Sequence, residues 1–127
     1  MKKVIKTNDA PFQIGAYNQA VMVNGMLFIS GQIAIDPATS ELVTGDIESE
    51  THRVLKNLGA ILKEAGMGYD DVVKCSVFVA DIDNYSRINA IYSLYFSEEN
   101  APARELVEVS NLPKYVHVEI SAIAAKP

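Results

Sequence analysis

The chain has 127 residues, 49% of them apolar and 21% charged, a composition that excludes disorder and a length that holds one domain, residues 1–127. A formal net charge of −5 leaves few cations for a phosphate-binding stripe, which weighs against nucleic acid as a partner. No apolar run nears the roughly 20 residues of a membrane span. The start turns polar at Lys6-Thr7-Asn8 before any signal core develops, and one cysteine, Cys75, with only His52 and His117 as imidazoles, offers neither a disulfide nor metal-ligand spacing. These features read as a cytoplasmic protein with no membrane partner and no metal.

In chain order, a short extended Val4-Ile5 comes first. Asn24-Gly25 between Ala20-Val21-Met22-Val23 and Met26-Leu27-Phe28-Ile29-Ser30 predicts a hairpin with strands at about 17–23 and 26–30, because a type I′ turn needs positive φ at both central positions. A further extended piece, Ile33-Ala34-Ile35, ends at the turn opener Asp36-Pro37. From Asp46, a fitting N-cap, apolar residues recur at Val54, Leu55, Leu58, Ile61, Leu62 and Ala65 with helical period, and Gly66 stops the helix. The β-branched run from Val72 to Val79 reads as a central strand covered on both faces. A second helix starting at Asp83 or Asn84 carries Tyr85, Ile88, Ile91, Tyr92, Tyr95 and Phe96, with Pro102 marking its end. Two last strands, near 103–109 and 116–125, flank Asn111-Leu112-Pro113-Lys114.

The order is α+β, with a sheet of five to six strands and two helices, enough to cover one face. Apolar side chains such as Leu106 and Ile123 are left for the other face, and an uncovered patch of that kind marks a subunit contact.

Alternation puts Arg104, Leu106 and Glu108 on one face of their strand, and Glu119 with His117, Ser121 and Ile123 off the aliphatic face of the last. A hairpin pairing Val109 with Val116 would make Arg104 and Glu119 diagonal neighbours beside an apolar surface. By themselves these two residues read as an ordinary cross-strand ion pair, and their spacing alone does not make a site. Tyr17 alone is a strand aromatic, Ser30 and Gly31 a strand end and a turn, Asn89 a solvated helix residue, and Cys75 a small core residue.

The segments IGAYNQA (14–20), SGQIAI (30–35), INAIY (88–92), APARELVEVSNLPK (101–114) and VEISAIA (118–124) resemble, in the right order and over nearly the whole chain, the Rid (YjgF-type) family. That resemblance implies a chorismate-mutase-like fold and a homotrimer with three equivalent clefts between subunits. It implies cofactor-free hydrolysis of reactive 2-iminoacids and their enamine tautomers, such as 2-iminobutanoate and 2-iminopropanoate, to 2-ketoacids and ammonia. Arg104 matches the family's carboxylate-binding arginine, whose planar fork grips a carboxylate bidentately. Glu119 matches the glutamate that orients or deprotonates the attacking water. Tyr17, Ser30, Gly31 and Asn89 match cleft positions, and Leu106 stands where the RidA branch often has cysteine.

Three departures bear on substrate preference. Ala16 replaces the proline that often precedes the tyrosine and loosens its loop, Glu105 places a carboxylate next to the arginine in sequence, and the bulk of Leu106 narrows the cleft. The alternative to an enzyme is a binding module or sensor in which the same cleft captures a 2-ketoacid without turnover.

Overall fold

A computed structural model describes residues 1–126; the expected domain also includes Pro127, which lies outside them. The first three strands form a meander: β1 (Lys3–Ile5) pairs antiparallel with β2 (Ala20–Val23), and β2 with β3 (Met26–Gln32). Between β2 and β3, Asn24 and Gly25 take φ of 50° and 75°, the double positive φ the Asn-Gly pair predicts. Gly25 is also the only residue type that fits, since an added Cβ would stand 2.6 Å from the Lys126 carbonyl oxygen. Ile33–Ile35 is not a strand; only an isolated bridge from Ile35 to Leu42 remains.

Helix α1 (Ile47–Glu64) starts where the sequence predicts. Asp46 is extended, and its carboxylate accepts from Ser49 N at 2.7 Å and Ser49 Oγ at 3.0 Å. The helix ends in a Schellman closure, with Met67 N donating to the Leu62 carbonyl, Gly66 N to that of Lys63, and Gly66 at φ 75°. Val54, Leu55, Leu58, Ile61 and Leu62 form its buried stripe, each contributing about 1.5–3 kcal/mol of burial. Helix α2 (Tyr85–Tyr92) is shorter than the apolar spacing through Phe96 implies, because the chain leaves helical geometry after Ser93.

The last third departs from the expected hairpin. Strand β4 (Val72–Val79) pairs parallel with β5 (Ala103–Glu108), Cys75 opposite Arg104, while β6 (Val118–Ala125) runs antiparallel to both β3 and β4. The sheet order is β1-β2-β3-β6-β4-β5. Two physical causes overturn the pairing of Val109 with Val116. The α2 crossover returns the chain in the direction of β4, so β5 must run parallel to it. Strand β6, wholly buried along Val118, Ile120, Ala122 and Ala124, then satisfies both of its edges and its apolar face in mid-sheet.

Both helices lie on one face, over Leu27, Ile29, Cys75, Val77, Val79, Ile120 and Ala122. Leu106 packs against this core and not on the open face, and β4 is covered on one face only, with Val73 exposed. The open face carries Val4, Phe28, Val73 and Val107, all exposed, with half-buried Ile123.

Candidate functional site

The predicted site residues fall into two groups. The first surrounds a cleft of about 480 Å³ lined by Tyr17, Ser30, Gly31 and Glu119 together with Gln13 and Lys114. Between Ile29 and Gln32 the β3–β6 register slips, setting Ser30 and Gly31 against the single residue Ser121. This bulge aims β3 backbone at the neighbouring Glu119. A Cβ on Gly31 would lie 2.0 Å from Glu119 Oε2, so the glycine makes room for the carboxylate.

Glu119 accepts no hydrogen bond from the described residues, and burial alone pushes its pKa above the ordinary carboxylate range. Ser30 Oγ donates to the Asn18 carbonyl at 2.6 Å, and Ser30 N to that of Gln19 at 2.9 Å, so its hydroxyl anchors the loop that carries Tyr17. Tyr17 itself is half exposed.

Gln19, inside IGAYNQA but given no role by sequence reasoning, fixes the same wall. It is fully buried; its Oε1 accepts from Thr7 N at 2.8 Å and its Nε2 donates to the carbonyls of Thr7, Ala10 and Pro11. Lys114 was also missed. It borders the cleft from a left-handed backbone, φ 55°, followed by Tyr115 at the same value. The turn residues around Pro113 were its only sequence signal.

The second group centres on Arg104. From β5 its Nη1 donates to Asn89 Oδ1 at 2.9 Å and its Nη2 to the Tyr85 hydroxyl at 3.0 Å. The guanidinium carbon stands 4.7 Å from the centre of the Tyr92 ring, a cation–π support. Tyr85, Asn89 and Tyr92 form one stripe of α2, at i, i+4 and i+7. Cys75 is buried beneath, its thiol pKa raised by burial, as a core residue should be.

Arg104 faces the helices while Glu119 faces the open side of the sheet. Within one chain they are therefore not neighbours, contrary to the diagonal pairing, and no ion pair joins them. Leu106 lies two residues along the Arg104 face and does not border the Glu119 cleft. Glu105 points to the opposite face from Arg104, where Lys74 Nζ lies 3.0 Å from its Oε1 and Ser76 hydrogen-bonds it; Ser76 and Lys74 hold its pKa low. It does not neutralise the guanidinium. Among the described residues no cluster of His, Cys, Asp and Glu is arranged to hold a metal, and no helix is long and apolar enough to cross a membrane.

The model of the family described as Endoribonuclease L-PSP matches residues 7–126. A RutC family protein of Synechocystis is 50% identical over 98% of this chain and 97% of its own. The 2-iminobutanoate/2-iminopropanoate deaminase of Rattus norvegicus is 47% identical over 99% of this chain and 91% of its own. A crystal structure of a protein of the conserved Rid protein family from Yersinia pestis superposes with a TM-score of 0.96 at 49% identity, covering 99% of this chain and 100% of that one.

Proposed function

Because this chain belongs to the Endoribonuclease L-PSP family, the Rid (YjgF-type) family, we propose that it hydrolyses small 2-iminoacids and their enamine tautomers to 2-ketoacids and ammonia. The observation that carries this reading is the pairing of opposites in one fold: a guanidinium that keeps free donors, and a carboxylate under a raised pKa beside a glycine in an open cleft. The Arg104 fork takes the substrate carboxylate. Glu119 accepts a proton from water as the water oxygen bonds to the carbon of the protonated imine; it passes that proton to the carbinolamine nitrogen and takes the hydroxyl proton as the C–N bond breaks, releasing ammonia and leaving the 2-ketoacid. No cofactor enters these steps.

Since Arg104 and Glu119 lie on opposite faces of one sheet, the reading includes a homotrimer, in which Arg104 of one copy closes the Glu119 cleft of the next. The exposed apolar side chains of the open face, Val4, Phe28, Val73 and Val107, supply the surface for that contact. The net charge of −5 favours a small anion gripped locally over a polyphosphate chain, and a soluble cytoplasmic setting suits such a substrate.

The test couples purified protein to a dehydratase that releases 2-iminobutanoate and follows ketoacid formation above the spontaneous rate. Wild type is expected to accelerate it, and Arg104→Ala to lose about tenfold to a hundredfold, the worth of a charge-assisted hydrogen bond of ~1.5–3 kcal/mol. No acceleration by wild type, or full activity in Arg104→Ala, sinks the reading.

A further inference from the structure

We infer that Tyr85 is a second ligand for the substrate carboxylate, placed by Arg104 and donating to the same anion; this rests on the deaminase reading above. The Tyr85 hydroxyl accepts from Arg104 Nη2 at 3.0 Å, so its own proton is directed elsewhere. That proton goes to no acceptor among the described residues, and the side chain is 44% exposed. A hydroxyl oxygen that accepts from a cation has its O–H further polarised and becomes a better donor to an anion.

The rest of the guanidinium agrees with this use. Nη1 and Nη2 each give one proton to a neutral acceptor, Asn89 Oδ1 and the Tyr85 hydroxyl, so neither contact cancels the positive charge. The Tyr92 ring, 4.7 Å away, supports the guanidinium. What remains is the Nε–H and one N–H on each amino group, with the Tyr85 O–H beside Nη2. A carboxylate has two oxygens with about four lone-pair sites, enough to accept a guanidinium pair and the phenol together. The arginine on α2 itself, Arg87, is occupied by Glu48.

Calorimetric titration with 2-oxobutanoate and steady-state kinetics on the whole protein test the assignment, comparing wild type, Tyr85→Phe and Tyr85→Leu. Tyr85→Phe keeps the ring and loses the hydroxyl. It is expected to weaken ketoacid binding and raise KM about tenfold, kcat moving less than about twofold, with the thermal midpoint unchanged. Tyr85→Leu should do no worse in binding than Tyr85→Phe. Wild-type affinity and KM in Tyr85→Phe overturn the proposal, as does impairment confined to Tyr85→Leu, which would credit the ring. A wild type that binds ketoacid without turnover removes the deaminase reading while the binding comparison still decides Tyr85. A wild type that does neither overturns both.

Discussion

Arg87 and Arg104 carry the same guanidinium and both belong to the α2 neighbourhood, yet the fold treats them oppositely. Arg87 gives Nε and Nη2 to the Glu48 carboxylate at 2.8 and 2.7 Å, a bidentate pair that consumes its charge in solvent. Arg104 is held by an amide oxygen, a phenol and an aromatic ring, none of which carries charge. The glutamates divide the same way. Glu50 is fully buried on α1, accepting from the backbone N–H of His117 and Val118 at 2.7 and 3.0 Å, with His117 Nδ1 2.7 Å from its other oxygen. Glu119 is half-buried and accepts nothing from the described residues. Charge spent on the fold is paired or saturated with donors; charge kept for a ligand is positioned by neutral groups or left desolvated.

Breaking the unspent glutamate gives the largest effect on chemistry. Glu119→Gln should cut turnover by ~10²–10⁴ while leaving 2-oxobutanoate affinity close to wild type, because the carboxylate grip belongs to Arg104. Unchanged turnover would remove Glu119 from the role of base. Two pH signatures follow from the raised pKa. As a base, Glu119 must be ionised, so the wild-type rate falls with decreasing pH along a limb set above the usual carboxylate range. For stability the sign is reversed: a carboxyl with a raised folded pKa favours the fold at low pH, and that contribution disappears as pH rises through the folded value. Glu119→Gln is therefore expected to raise the thermal midpoint slightly at neutral pH and not in acid, which scanning calorimetry at two pH values reads.

Breaking the spent glutamate should do the opposite, removing stability first. Glu50→Ala strips acceptors from two backbone donors at the start of β6, one of them, on Val118, fully buried, and unties α1 from that strand. The expected loss is about 3 kcal/mol in a denaturant titration, since orphaning buried donors costs ~1–3 kcal/mol apiece. A loss below about 1 kcal/mol would show that water replaces the carboxylate and that its burial carries little.

Much of this contrast was legible in sequence, but unevenly. Local signals read well: Asn24-Gly25, the Asp46 cap, the Gly66 stop and the limits of β4 depend on a few adjacent residues, and the structure keeps them. Alternation also told which residues of β5 and β6 share a face. It could not say which strand each one pairs with, because the same alternation fits any neighbouring strand whose register keeps the apolar faces together. The insertion of β6 between β3 and β4 is decided by the α2 crossover, a non-local effect, and it moved Arg104 and Glu119 from one face to two. The identities of the candidate site residues came from resemblance to a family. Tyr85 had a plain signal, four residues before Asn89 on one helix stripe, whereas Gln19 had none beyond its place in a quoted segment.

The smallest effect belongs to the spent arginine, and it separates the two guanidiniums most cleanly. Arg87 holds the Glu48 pKa down to about 2, chiefly through its side-chain hydrogen bonds, but both partners sit in solvent, where an ion pair gains little. A depressed folded pKa means stability present above the ordinary carboxylate range and lost as pH falls toward about 2. Arg87→Ala should therefore lower the thermal midpoint slightly at neutral pH in dilute buffer. The difference should vanish near 1 M salt, where the screening length is about 3 Å, and again in strong acid. Its turnover of iminoacid should equal that of wild type, set against the tenfold or greater loss expected for Arg104→Ala. If the two alanine variants lost turnover alike, the division between spent and unspent charge would fail, and Arg104 would have to be read as one more structural cation on the α2 side of the sheet.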